Sequence, residues 1–311
     1  SDVQLIAVAD SNLEAASLVA DRMGSRFYSN ADEMLEREAP DIVTIAVPTE
    51  LHAHWAIKAI EAGAHVLVEK PIAGSMEDAR LIIRKADELN RKLMVGHIVR
   101  FNPAIQTLKQ KIDQGQLGRI FQIACRRVGP FPARIRDVGV VIDLAPHDID
   151  LMRYITGSNP KRIFAETEQR IHTDHEDLLL GLLRFPDGVT GVLEINWLTP
   201  TKVREVLVLG ERGMFRVDDL TQDLYFYENA QVDSVTWQTL QNLKGVSEGS
   251  MTRFAIPRYE PLKAELQAFI KSILEDEPVP VSGEDGLAAL NLALKLVESG
   301  ITHKIIEVDR E

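Results

Sequence analysis

The order of apolar segments constrains the fold of this chain more than any single motif does. Up to about residue 97, short apolar runs alternate with segments of helical periodicity. The sequence predicts strands at residues 3–9, 41–47, 64–68 and 92–95, and helices at residues 12–23, 52–62 and 75–89. This alternation predicts an α/β domain, in which helices cover both faces of a parallel sheet.

A different pattern begins near residue 118, where strand-like runs follow one another. We predict strands at residues 120–127, 163–171, 178–185, 189–197, 203–210, 214–218 and 223–228, and helices near residues 141–155, 261–275 and 286–298. Phe185-Pro-Asp-Gly188 is a hairpin turn signal between two of these strands. The chain therefore divides into an α/β domain at residues 1–97 and an α+β domain at residues 98–311, with a large, mostly antiparallel open sheet.

The composition excludes several classes of function. Apolar residues make up 45% and charged residues 26% of the 311 residues, so a packed core is expected. The net charge of −12 argues against nucleic acid and anionic membranes as partners. The single cysteine, Cys125, excludes an intrachain disulfide and a thiolate metal cluster. One thiol, with no apolar run of about 18 residues, agrees with a cytoplasmic location.

An acidic residue, Asp10, follows the first predicted strand. A carboxylate there can accept hydrogen bonds from both hydroxyls of an adenosine ribose and would repel a 2′-phosphate, which favours NAD over NADP. Asp10 could instead cap the helix that begins near Asn12. The glycine-rich loop of a dinucleotide site should precede this carboxylate by about 20 residues. We therefore expect the first strand and the glycine-rich loop of this domain to be missing from the chain.

Two short motifs place charged side chains where chemistry could use them. Glu69-Lys70-Pro71 ends a predicted buried strand, and open α/β sheets bind ligands at the carboxyl ends of their strands. Asp143 and His147 are four residues apart, so on a helix they share one face. Pro146 strains the preceding turn, and the two side chains could therefore straddle a kink or a helix start.

The order of the motifs along the chain resembles that of a known family. The motifs are Val47-Pro48-Thr49 with His52, Glu69-Lys70-Pro71, Arg100-Phe101-Asn102-Pro103, Asp143-x-x-x-His147-x-x-Asp150, Glu260-Pro261-Leu262 and 281–286 (VSGEDG). Together they resemble the glucose-fructose oxidoreductase / inositol dehydrogenase / rhizopine catabolism (Gfo/Idh/MocA) family of NAD(P)-dependent dehydrogenases. The resemblance implies a Rossmann domain followed by an α/β domain on a large open sheet.

The resemblance also implies roles for individual residues. The catalytic residues would be Lys70, Asp143 and His147, and the cofactor-binding residues would be Asp10, Val47, Pro48, Thr49, His52, Glu69, Lys70 and Arg100. Oxidation of a secondary alcohol needs a base, and an imidazole titrates near neutrality. His147 would take the hydroxyl proton, Asp143 would orient the imidazole or hold a neighbouring hydroxyl, and Lys70 would stabilise negative charge on the reacting oxygen. Asp143, His147 and Asp150 could also bind a metal ion, but the dehydrogenase chemistry needs no metal.

A cluster of arginines bears on the substrate. Arg126, Arg127, Arg134 and Arg136 precede the Asp143–His147 segment with no acid among them. Arginine forks suit phosphate and carboxylate groups, so we predict that Arg126, Arg134 and Arg136, with Asp143, bind an anionic substrate such as a nucleotide sugar. Within the family, this run is most similar to UDP-N-acetylglucosamine 3-dehydrogenases. Alternatively, these arginines neutralise acidic groups at a subunit contact.

Two further classes of function are compatible with the sequence. The chain could be a polyol or inositol dehydrogenase, or a non-catalytic regulator of the same fold that binds cofactor without turnover. The presence of Lys70, Asp143 and His147 together favours an enzyme. An exposed face of the second-domain sheet, with Trp197 and alternating apolar strands, predicts a homodimer or homotetramer.

Overall fold

A computed structural model describes residues 3–132, 138–171, 174–230 and 248–308, without the side chain of residue 248. The chain forms two compact units. The first comprises Ser1–Gly96 and Gln267–Leu287, and the second comprises His97–Leu266 and Ala288–Glu311. Two C-terminal helices, α7 (Pro261–Leu274) and α8 (Gly283–Thr302), contribute residues to both units. No described helix is both long enough and apolar enough to span a membrane.

The first unit contains the predicted alternation of strands and helices. β1 (Ala7–Ala9), β3 (Ile42–Ile45), β4 (His65–Glu69) and β5 (Leu93–Gly96) alternate with α1 (Leu13–Met23), α3 (His52–Glu61) and α4 (Met76–Glu88). β3, β4 and β5 form a parallel sheet in that order, and β1 pairs in parallel with β2 (Arg26–Tyr28). The prediction of a parallel α/β domain is confirmed.

Local capping signals explain where these helices begin and end. The Ser75 hydroxyl accepts a hydrogen bond from the Asp78 N–H and donates to its carboxylate, which starts α4. The Asn12 side chain caps α1 by accepting from the N–H groups of Glu14 and Ala15. Gly63, at a φ of 95°, follows α3 in the left-handed region that favours glycine. The sequence therefore sets the limits of these helices locally.

Other elements of the first unit were missed or mislocated by the sequence analysis. Strand β2 and helix α2 (Ala31–Glu38) were not predicted. Strand β1 covers three residues, whereas a strand at residues 3–9 was expected. Among the described residues β1 pairs with β2 alone, and the short parallel ladder between these two strands limits the length of β1. β2 is equally short and half exposed, so it carries little apolar pattern to read.

The second unit is built on a nine-stranded sheet in the order β13-β12-β11-β10-β6-β9-β8-β7-β14. Its strands are β6 (Ile120–Pro130), β7 (Arg162–Glu168), β8 (Leu178–Arg184), β9 (Thr190–Asn196), β10 (Leu198–Gly210), β11 (Gly213–Asp218), β12 (Asp223–Asn229), β13 (Glu248–Arg253) and β14 (Ile306–Glu307). All neighbours are antiparallel except β6 and β9. The predicted antiparallel sheet and the Phe185–Gly188 hairpin are confirmed.

One face of this sheet, here called the inner face, packs against helices. Helix α6 (Val140–Thr156) contacts β6, β8 and β9, and α5 (Pro103–Asp113) contacts β11 and β12. Inner-face residues such as Ile123, Leu193 and Phe215 are at most 1% exposed. Cys125 is also buried there, as predicted, and burial raises the pKa of its thiol. The opposite face, here called the outer face, carries side chains such as Leu180, which is 51% exposed.

Trp197 lies in the apolar core and not on the exposed face of the sheet, where the sequence predicted it. Its side chain is 3% exposed. Trp197 lies at the junction of β9 and β10, where the alternation of inner and outer residues is interrupted. Its ring contacts Phe131 edge to face, with 5.5 Å between the ring centroids. The apolar outer face is therefore formed by other residues.

Candidate functional site

The predicted cofactor-binding residues of the first unit lie at the carboxyl ends of parallel strands. Asp10 directly follows β1, the segment 47–49 follows β3, and Glu69 ends β4 next to Lys70. One carboxylate oxygen of Asp10 accepts a hydrogen bond from Asn12 N at 2.8 Å, so Asp10 extends the turn while Asn12 caps α1. Asp10 remains exposed, and its carboxylate can accept further hydrogen bonds.

His52 connects two of these strand ends. Its side chain is 1% exposed, with Nδ1 lying 2.8 Å from the carbonyl oxygen of Pro71 and Nε2 lying 2.9 Å from that of Val47. Both ring nitrogens therefore face backbone of the chain itself. His52 fixes the turn after β4 against the end of β3, because each of its ring nitrogens contacts one of these two carbonyl oxygens.

Glu69 and Lys70 occupy the turn after β4. Burial raises the pKa of Glu69, and the charge of Lys70 opposes this shift. Gly96 at the end of β5 allows the close approach of Glu69, because a Cβ at that position would lie 3.1 Å from its Oε2. The peptide bond between Lys70 and Pro71 is cis. Lys70 itself is half-buried.

Asp143 and His147 lie on one helix of the second unit. Helix α6 runs without interruption from Val140 to Thr156 and contains Pro146, so both residues stand on a continuous helix. Both side chains are half-buried, and Nδ1 of His147 is shielded from solvent. The spacing of four residues places them on the same face of α6.

The N-terminus of α6 is capped by a residue that the sequence analysis missed. Glu176 lies in the connection between β7 and β8, and its Oε1 accepts a hydrogen bond from Val141 N at 3.1 Å. The Val140 N–H also donates to the backbone oxygen of Glu176, at 2.9 Å. Gly139 provides the space, since a Cβ there would overlap the Glu176 carboxylate. A cap 35 residues away from the helix leaves no local signal in the sequence.

Arg100, a predicted cofactor-binding residue, is held in a buried ion pair. Its Nε and Nη2 donate to the two carboxylate oxygens of Asp150 at 2.7 and 2.5 Å. Arg100 is 9% exposed and Asp150 is 1% exposed. The guanidinium also lies over the ring of Tyr154, 5.1 Å from its centroid. Arg100 thereby anchors α6, and Asp150 is the acceptor that makes this possible.

A second ion pair on the inner face was also missed. Arg127 donates from Nε and Nη2 to the carboxylate of Asp148 at 2.8 and 2.7 Å. Its Nη1 lies 3.9 Å from Asp219, whose Oδ1 accepts from Asn102 Nδ2 at 2.6 Å. Burial alone would lower the pKa of Arg127, but the charges of Asp148 and Asp219 outweigh it and raise that pKa. Successive arginines in a strand point to opposite faces, and sequence alone did not show which one was buried.

Of the predicted substrate arginines, the structure describes only Arg126. Arg126 lies on the outer face, opposite to α6, and its Nε donates to Glu194 at 3.0 Å. This geometry does not place Arg126 beside Asp143. Arg134 and Arg136 lie outside the described residues.

Two cavities of the described part of the chain lie away from Asp143 and His147. A cavity of about 520 Å³ is lined by Gln222, Asp223 and residues 253–258, and one of about 350 Å³ lies beside the Phe185–Gly188 hairpin. Neither is lined by Asp143 or His147. Within the described residues, no three His, Cys, Asp or Glu side chains are grouped as metal ligands.

Comparison with protein families decides the identity of both units. Residues 1–97 match the model of an oxidoreductase family with an NAD-binding Rossmann fold, and residues 105–216 match the Gfo/Idh/MocA C-terminal domain. The chain belongs to the Gfo/Idh/MocA family of oxidoreductases. It is thus an NAD-dependent dehydrogenase of a family that acts on sugars and polyols, and the predicted fold class and enzyme class are confirmed.

Individual members of the Gfo/Idh/MocA family resemble the whole chain. The UDP-N-acetylglucosamine 3-dehydrogenase of Acidithiobacillus ferrooxidans is 29% identical over 94% of this chain and 88% of its own length. A solved structure of that enzyme has a TM-score of 0.82 at 28% identity, covering 95% of this chain and 89% of the other. The myo-inositol 2-dehydrogenase of Thermotoga maritima is 26% identical over 99% of this chain and 92% of its own length.

The strand ends of the first unit fit the NAD that this family binds. Asp10 offers an exposed carboxylate for ribose hydroxyls, and the turn after β4 offers the ammonium group of Lys70. His52 and Glu69 support that turn from within. NAD, when bound, supplies the acceptor for a hydride.

Proposed function

We propose that the protein oxidises a secondary hydroxyl of a sugar, and that its substrate is a nucleotide sugar such as UDP-N-acetylglucosamine. The observation that carries this proposal is the pairing of Asp143 and His147 on one face of α6, in a chain that belongs to a sugar and polyol dehydrogenase family. The resemblance to a UDP-N-acetylglucosamine 3-dehydrogenase over nearly the whole chain supports the choice of substrate.

The proposed roles follow from the chemistry of each side chain. His147 takes the hydroxyl proton of the substrate as a general base. Asp143, one turn earlier on the same face, orients the imidazole or holds a neighbouring hydroxyl. Lys70 binds the reacting oxygen and stabilises the negative charge that develops there. Arg100 acts as a positioning residue, because its ion pair with Asp150 holds the helix that carries the other two.

We also propose that NAD is preferred over NADP because of Asp10. Its exposed carboxylate would accept hydrogen bonds from the ribose and repel a 2′-phosphate. Replacement by Ser would remove this repulsion. In the Asp10→Ser variant the ratio of kcat/KM for NAD to that for NADP should fall by roughly tenfold or more.

A neutral polyol is the second candidate substrate. The myo-inositol 2-dehydrogenase relative covers 99% of this chain at 26% identity, which is only slightly lower than the 29% identity of the nucleotide-sugar enzyme. Inositol carries secondary hydroxyls that the same proton-transfer residues would serve. The two candidates differ in charge, and activity measurements with both substrates would separate them.

The outer face of the sheet supports the proposal of a homo-oligomer. Leu180, Leu182 and Leu209 are 51%, 49% and 39% exposed on that face. Beside them lie the ion pairs of Arg126 with Glu194 and of Arg216 with Glu205. A second copy related by a twofold axis would present the same apolar surface and both signs of charge, which suits a self-complementary contact.

The activity test uses the protein from its full coding sequence, with any residues upstream of Ser1. It is incubated with NAD and, separately, with UDP-N-acetylglucosamine, other UDP-sugars and myo-inositol, while NADH absorbance is followed. Lys70→Ala and His147→Ala should each reduce kcat by about 10²–10⁴-fold. Lys271→Ala and His303→Ala replace the same residue types at exposed ion pairs and should retain full activity.

Two results would contradict the proposal. Tight NAD binding without turnover of any substrate would identify a regulator, in which the Asp143 and His147 pair has no catalytic role. Turnover of myo-inositol without turnover of any UDP-sugar would keep the dehydrogenase and replace the substrate class.

A further inference from the structure

The inner face of the sheet carries a second arginine directly beside Arg127. Arg204 on β10 is the register partner of Arg127 on β6, and both side chains lie on the face that packs against α6. Two cations in directly opposed positions of neighbouring strands repel each other. The arrangement is therefore stable only if negative charge is supplied close to both.

The buried carboxylates compensate Arg127 far more than Arg204. Both oxygens of Asp148 accept from Arg127. Asp219 lies 3.9 Å from Arg127 Nη1 and accepts from Asn102, and burial raises its pKa despite the opposing charge of Arg127. Within the described residues, the hydrogen bonds of Arg204 go from Nη1 to the carbonyl oxygens of Val128 and Val203, at 2.7 and 2.8 Å. These bonds fix the guanidinium without neutralising it.

The electrostatic state of Arg204 agrees with this geometry. Burial, followed by repulsion from Arg127, lowers its pKa to about 10. Asp148, Asp219 and Asp143 act in the opposite direction but do not restore the usual value. Arg204 lies opposite Arg127, whose partner Asp148 is on α6, the helix that also carries Asp143. A partly buried cation that forms no ion pair with the described residues is suited to receive an external anion.

We infer that Arg204 binds an anionic group of the substrate, a phosphate or a carboxylate, through the part of its guanidinium that the two carbonyl oxygens leave available. This inference rests on the proposed function, since Asp143 marks the position of the sugar. The fork of a fixed guanidinium matches both oxyanions. Arg204 thereby takes the role that the sequence analysis gave to Arg126.

The test measures binding directly, without a requirement for turnover. UDP, inorganic phosphate, glucuronate and glucose are titrated into the full-length protein by calorimetry. In Arg204→Gln the Kd of the anionic probe that the wild type binds should rise by about 10–100-fold, the range for a hydrogen bond to a charged group. The Kd of neutral glucose should stay within about twofold, because glucose carries no charge for Arg204 to bind.

Two further variants control this experiment. Arg126→Gln removes the neighbouring arginine on the outer face and should leave every Kd unchanged. Arg204→Lys keeps the positive charge but loses the fork of the guanidinium. It should raise the Kd of the anionic probe by a smaller factor than Arg204→Gln does. If Arg204→Gln does not fold, Arg204→Lys decides the question. The inference then requires the Kd of the anionic probe to rise by a larger factor than the Kd of neutral glucose.

The outcomes distinguish this inference from the proposed function. A loss confined to UDP and phosphate identifies a phosphate as the bound group, and a loss confined to glucuronate identifies a carboxylate. Unchanged Kd values for all anionic probes in Arg204→Gln, or an equal loss for glucose, would overturn the inference. Anion binding that depends on Arg204 in a protein without turnover would uphold it and refute the dehydrogenase. Turnover of a UDP-sugar with the same KM in wild type and in Arg204→Gln would refute this inference and uphold the dehydrogenase.

Discussion

Arg127 and Asp148 form a bidentate ion pair on the inner face of the sheet, with N–O distances of 2.8 and 2.7 Å and 6% and 1% exposure. Removal of one partner leaves an uncompensated buried charge. Asp148→Asn should therefore lower the free energy of unfolding by about 3–5 kcal/mol in urea titrations.

The adjacent exposed pair is the matched control for that prediction. Arg126 and Glu194 are joined across neighbouring strands on the outer face, with side chains 48% and 42% exposed. Glu194→Gln should cost less than about 1 kcal/mol. Similar losses in both variants would show that burial does not decide the contribution of these pairs.

Gly139 should be required for the cap of α6. In Gly139→Ala the new Cβ displaces the Glu176 carboxylate from Val141 N, and the variant should lose about 1–2 kcal/mol of stability. Because α6 carries Asp143 and His147, kcat should fall as well. Glu176→Gln keeps an acceptor oxygen and should lose less stability than Gly139→Ala, as measured by thermal unfolding. A Gly139→Ala protein with wild-type stability would contradict the assigned cap.

Asn102→Asp should make the stability of the protein depend on pH. Asn102 Nδ2 lies 2.6 Å from Asp219 Oδ1, so the variant places two carboxylates in contact. Burial already raises the pKa of Asp219, and a second acid would raise it further. The folded state then binds more protons than the unfolded state, and stability falls as pH rises. Relative to wild type, the variant should be weaker near pH 8 than near pH 5.

Glu69→Gln, in the first unit, should change the stability relative to wild type in the opposite direction as pH rises. Burial raises the pKa of Glu69, so the charged form costs the wild type stability as pH rises above the ordinary value of a carboxyl. Gln removes this cost. The Tm of the variant relative to wild type should therefore be higher near pH 7 than near pH 4. A Tm difference independent of pH would show that the Glu69 carboxyl keeps its ordinary pKa.

The outer-face leucines should control assembly. Leu182→Lys introduces a charge into the apolar surface and should shift the protein to a smaller species in light scattering. Leu274→Lys changes an exposed leucine of α7 in the same way and should leave the mass unchanged. A wild-type mass in Leu182→Lys would exclude this surface as the subunit contact.

The elements with strong local signals were predictable. Helix α4 begins where Ser75 and Asp78 cap it, and the hairpin at Phe185–Gly188 follows from its turn residues. β2 lacked such a signal, being three residues long and supported by its parallel partner. The cap of α6 by Glu176 was not predictable either, because the two segments are distant in sequence.

By itself, the sequence determined the division into an α/β and an antiparallel part, the family, and the spacing of Asp143 and His147, since periodicity and motif order are local properties of a chain. Only the tertiary structure decided which charges are paired. Arg126 and Arg127 are adjacent in sequence, yet one is exposed beside Glu194 and the other is buried against Asp148. The packing of α6 against one face of the sheet makes this difference, and the register of β6 with β10 brings Arg204 next to Arg127 on that face.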